Sequence, residues 1–85
     1  MSTITRGEHG VSYTHANYES AAAAVEKTGG TLSPVWEGSW KGDTSKTRGR
    51  VVGKWTVRTE KPSSAGSYDA LTEYENGDFV LFSRY

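Results

Sequence analysis

Eighty-five residues, no cysteine and a formal net charge of zero describe one small domain, residues 1–85, that holds itself together by packing alone. A chain of this size buries only about 60–65% of its unfolded surface, and without cysteine it has no disulfide, no thiolate ligand and no thiol nucleophile. Ten aromatic residues, each able to bury about 150–250 Å², are the natural core material.

The N-terminal MSTITRGEHG has no apolar run of signal-peptide type, and nothing approaches the roughly 20 apolar residues of a membrane span. The expectation is a cytoplasmic protein that meets no membrane. Its charge is unevenly spread. Residues 41–61 hold seven Lys and Arg against Asp43 and Glu60, while the rest of the chain holds three against eight carboxylates. The sequence is a charge dipole, +5 in its middle and −5 elsewhere, which bears on partners and assembly rather than on fold.

Residues 1–13 are polar, and Thr3–Thr5 reads as a short edge strand or a frayed terminus. From about His15 to Lys27 the pattern is helical. Ala21–Ala24 orders without side-chain entropy cost, and Tyr18, Ala22 and Val25 fall at i, i+4 and i+7. Thr14 or Asn17 is the candidate N-cap, and Gly29-Gly30 ends the helix. Thr31–Trp40 reads as a strand with Trp36, Gly38 and Trp40 on one face and Pro34 at its start or on an edge. Residues 41–49, KGDTSKTRG, read as a mobile polar loop.

Arg50–Thr59 alternates strictly. Val51, Gly53, Trp55, Val57 and Thr59 share a face directed at a core, and Arg50, Val52, Lys54, Thr56 and Arg58 share the other. With Thr31–Trp40 it makes a wide-looped hairpin, and Lys61–Gly66 is the next connection. Asn76-Gly77 predicts a two-residue type I′ turn that sets Tyr74 opposite Phe79, Thr72 opposite Leu81, Asp69 opposite Arg84 and Tyr68 opposite Tyr85. Tyr68, Ala70, Thr72, Tyr74, Phe79 and Leu81 then form the better core face. The predicted fold is α+β: one N-terminal helix packed on a four-stranded antiparallel sheet made of two hairpins, in meander order.

Catalytic signals are sparse. His9 and His15 match no zinc spacing, no Gly-x-Ser-x-Gly surrounds a serine, and Glu73 with Glu75 reads as a solvated strand face. The stretch from Gly42 to Lys46-Thr47 fails as a phosphate loop because Ser45 and Trp40 stand where glycines are needed. The expectation is a non-enzymatic protein without cofactor or metal.

What remains is a binding surface: Trp36, Trp40, Lys41, Lys46, Arg48, Arg50, Lys54 and Arg58. Trp and Arg are the side chains that anchor protein interfaces, and small phage- or plasmid-borne inhibitors of host systems share this profile of size and composition. The first reading is a module acting stoichiometrically on a protein partner. The second is a single-stranded nucleic-acid binder using the basic, Trp-bearing hairpin, opposed by the neutral overall charge. Complementary charge or an unpaired edge strand would also support a homo-oligomer, and a solvated basic face is the bland alternative to all three.

Overall fold

The alanine run forms the helix that its propensity dictates. In the computed structural model, which describes residues 3–8, 10–59 and 68–84, α1 spans Tyr18–Lys27 and Asn17 is its N-cap, accepting a hydrogen bond from the Ser20 N–H at 2.8 Å. The helix starts later than the sequence pattern indicates, because His15 is held in a strand opposite Phe79. The other elements are β1 (Thr3–Arg6), β2 (Gly10–His15), β3 (Gly30–Pro34), a short 3₁₀ turn (Glu37–Ser39), β4 (Thr44–Ser45), β5 (Gly49–Thr59), β6 (Ala70–Tyr74) and β7 (Phe79–Arg84). His9, the Lys61–Gly66 connection and the Tyr68–Tyr85 pairing lie outside the described residues.

The fold is α+β with an antiparallel sheet, but the sheet holds seven strands among the described residues, not four. Their order is β1-β2-β7-β6-β5-β3, with β4 paired to the start of β5. Two strands precede the helix, so it is not the first element. β2 alternates Val11, Tyr13 and His15 with Ser12 and Thr14, and this pattern lets it close on β7. Four antiparallel steps separate β2 from β3, which makes those two parallel; α1 carries the chain between them and touches β2, β3 and β7.

The stretch read as a strand over Thr31–Trp40 stops at Pro34. Val35 still donates its N–H to the Lys54 carbonyl at 2.9 Å, and then the chain leaves β5. The backbone closes on itself instead, with Ser39 N–H to Trp36 O at 3.0 Å and Trp40 N–H to Glu37 O at 3.1 Å. Trp36, Gly38 and Trp40 therefore do not form a strand face. The segment read as a polar loop contributes β4, so the connection into β5 is a tight hairpin rather than a wide one.

The C-terminal hairpin is one residue out of its expected register. Leu71 faces Leu81, Thr72 faces Val80 and Glu73 faces Phe79. Gly77 N–H bonds Tyr74 O at 3.0 Å and Tyr74 N–H bonds Asp78 O at 2.9 Å. Only Gly77 has positive φ, at 97°, and Asn76 does not, which excludes a type I′ turn. The loop is Glu75-Asn76-Gly77, a three-residue turn whose left-handed last position Gly supplies. Asn76 reinforces it by accepting from the Asp78 N–H at 2.9 Å.

A one-residue slip exchanges the two faces of a strand relative to its partner. The core face consequently takes Leu71 with Leu81, in place of Thr72 and Tyr74. The pairs Tyr13–Leu81, Leu81–Leu71, Leu71–Trp55 and Trp55–Pro34 run as one row across five strands. Above it Ala21 and Val25 of α1 complete a buried cluster with Val57, Leu71 and Leu81, flanked by Tyr13, Leu32, Trp55, Tyr68 and Phe79. The small alanine face lets the helix approach closely, so Trp55 and Phe79 pack beside Tyr18 with ring centroids 5.5 and 6.1 Å from it.

His15 is the buried titratable group at the end of β2, 8% exposed, with Nδ1 2.8 Å from Ser20 Oγ. Burial lowers its pKa below the ordinary 6.5, so the folded state resists a proton that the unfolded chain accepts. Its contribution is complete above pH 6.5 and declines as pH falls from there toward the lowered folded value. Urea midpoints should drop more steeply for the wild type than for His15→Gln between pH 7.5 and 5; parallel pH profiles would refute this role for the imidazole.

Candidate functional site

Two departures from regular strand geometry create the site. Strand β3 ends early, so on that edge the first half of β5 has only the two-residue β4 beside it, and the 3₁₀ turn fills in alongside. Within β5 the register shifts between Val51, opposite Tyr74, and Gly53, opposite Glu73. Val52 is the extra residue of this bulge and is 47% exposed. The bulge also breaks the alternation that grouped Val51 with Gly53, Trp55 and Val57. Bulges commonly re-aim side chains at sheet edges in this way.

The result is an open groove of about 610 Å³ lined by Glu37, Trp40, Lys41, Thr44, Arg50 and Val52 among others. Trp40 is half-buried, its indole N–H directed at the Val35 carbonyl 3.4 Å away. Trp36 is 79% exposed. The edge of its ring lies against Gly38, where a Cβ would come within 2.4 Å of the indole, so glycine is what allows the ring to fold back on the turn. Trp55, the third tryptophan, is packed against the core instead.

The eight residues singled out from sequence occupy three places. Trp40, Lys41 and Arg50 line the groove, Trp36 caps the 3₁₀ turn whose Glu37 lines it, and Lys46 is exposed in the β4–β5 turn. Lys54 and Arg58 stand on the sheet face away from the helix, at the register positions of Thr72 and Thr31. Arg48 reaches that same face but is engaged internally. Its Nε is 3.3 Å from Asp78 Oδ2, one Nη donates to Thr14 Oγ1 at 3.2 Å, and the guanidinium stands 5.8 Å from the Tyr74 ring centre. Lys41, Lys46, Arg50, Lys54 and Arg58 form no ion pair with any described carboxylate.

Val52 and Thr44 were not among the sequence candidates. The signal for Val52 was present, since it is the one apolar side chain between Arg50 and Lys54 on the polar face of β5. Among the described residues no cluster of three or more His, Asp or Glu side chains is placed to hold a metal ion, and no helix is long and apolar enough to cross a membrane. Comparison with known protein families, with curated proteins and with solved structures finds no match.

Proposed function

We propose that this chain is a small non-enzymatic binding module that acts stoichiometrically, docking on a protein partner through the edge formed by Trp36, Trp40, Lys41, Arg50 and Val52. The observation that carries the reading is Trp36 at 79% exposure. An exposed indole is costly in water and is among the strongest anchors of protein interfaces. A second exposed apolar group, Val52, lines the groove that the Trp36 turn borders through Glu37, and the Lys41 and Arg50 charges in that groove are free to meet carboxylates of a partner. Occlusion of a larger machine is the mode of action this geometry serves, the mode of an inhibitor of the kind that phages and plasmids direct against host systems. The site of action is the cytoplasm.

The test is affinity capture from the cells that carry the protein, followed by titration of the retained partner. Trp36→Ala should weaken binding by about 30-fold, equivalent to about 2 kcal/mol, while moving the urea midpoint by no more than about 0.5 kcal/mol of stability. An unchanged affinity in Trp36→Ala would remove the docking edge from consideration.

A further inference from the structure

We infer that the sheet face opposite the helix is a binding surface for single-stranded nucleic acid, separate from the docking edge. The sequence argues against such an activity because ten carboxylates balance ten cations. The fold sorts them. Glu19 and Glu26 are on α1, and Glu73 pairs with Phe79 on the face that the helix covers. The opposite face carries Lys54 opposite Thr72, Arg58 opposite Thr31, and Arg48 across Thr14 and Tyr74. Among the described residues the carboxylate that strand alternation places there is Asp78, which is paired with Arg48.

Between these cations the face is floored by hydroxyls, Val80, the Phe82 ring and the Tyr74 ring beneath Arg48. Ser12 pairs with Phe82, Thr14 with Val80, and Thr72 with Val80, so Ser12, Thr14, Thr72, Val80, Phe82 and Tyr74 share it, with Val80 buried between the two threonines. The half-buried Phe82 ring lies beside Gly10, where the missing side chain leaves the ring room on this face, and we assign it as the stacking platform. A sheet with aromatic rings for bases, hydroxyls for sugar and phosphate oxygens, and lysine and arginine for charge is the set that single strands require. A duplex keeps its bases stacked inward and gains nothing from Phe82.

The experiment is fluorescence anisotropy of the full chain with labelled oligo(U) and oligo(dT) of about twelve nucleotides and with a duplex of equal length. The expected dissociation constant is on the order of 10⁻⁵ M at low salt, with affinity falling as salt rises. Lys54→Ala with Arg58→Ala should weaken binding by about tenfold and flatten the logarithmic salt slope by about 1.4, or about 0.7 for each of the two single-strand phosphates that these side chains neutralise. Phe82→Leu should weaken it by about fivefold with little change in slope. Trp36→Ala, on the other surface, should leave it unchanged, so failure of this activity and failure of the docking edge are read separately. Absence of binding at low salt, equal affinity for the duplex, equal competition by polyglutamate, or an unaltered Lys54/Arg58 double variant would each overturn the inference.

Discussion

Leu71→Ala should lower the free energy of unfolding by about 2–5 kcal/mol, out of a total on the order of 4–13 kcal/mol for a domain of this length. Leu71 has no exposed surface and packs within the cluster of Ala21, Val25, Val57 and Leu81. Removing three carbon atoms there leaves a cavity bounded by α1 on one side and β5 and β7 on the other, and a five-strand row has little freedom to collapse into it. The substitution also decides the hairpin register. In a two-residue Asn76-Gly77 turn, Leu71 would stand on the outer face with Glu73, Val80 and Phe82, and its truncation would cost under about 1 kcal/mol. Thr72→Ala serves as the control, since in the observed register Thr72 lies opposite Val80 on the uncovered face and should change stability by no more than about 0.5 kcal/mol. Urea denaturation of the two variants separates the alternatives; a larger loss for Thr72→Ala than for Leu71→Ala would refute the register.

The same hairpin shows what the sequence makes legible and what it does not. The alternation of β5 and the alanine run of α1 were readable because one periodic pattern dominated each window. Asn76-Gly77 located the turn correctly, but its length is settled by which pairing buries more apolar surface, and Leu71–Leu81 outweighs the intrinsic preference of Asn-Gly for a type I′ turn. β2 was obscured because His15 fits equally well as the last residue of a strand or the first of a helix, and only its pairing with Phe79 resolves it. The separation of cations into groove, turn tip and sheet face was not legible at all. It depends on the Val52 bulge and on the departure of the chain after Pro34, and neither changes the composition or the period of the sequence. Arg48 is the sharpest case: it counts as one more cation in a basic run, yet its partners Thr14, Tyr74 and Asp78 lie far along the chain in both directions.

Gly10→Ala should be nearly as damaging as a core truncation, by about 3 kcal/mol, near the upper end of what overpacking costs. A methyl group at this position would stand 2.2 Å from the Ser83 carbonyl oxygen and 2.7 Å from Cζ of Phe82. The ring can move, but the carbonyl belongs to the β2–β7 ladder and moves only if the two strands separate. Adding Phe82→Ala to Gly10→Ala should therefore fail to restore stability, whereas a clash with the ring alone would be relieved by it. Gly7→Ala is the matched control, because the nearest atom to an added methyl beyond its chain neighbours is the Gly10 oxygen at an ordinary 3.5 Å, and it should stay within about 0.5 kcal/mol of the wild type. Amide exchange gives the local readout: protection lost across β2 and β7 in Gly10→Ala, with β5 and β6 retained, identifies the β2–β7 seam as the place where the strain is released. Because β2 also supplies Thr14 to Arg48 and Ser12 to the uncovered face, opening that seam should abolish oligonucleotide binding while leaving Trp36 and the docking edge in place. Rescue of stability by Phe82→Ala, or uniform loss of protection throughout the sheet, would show that the close approach of Gly10 to Ser83 is not what fixes this strand pair.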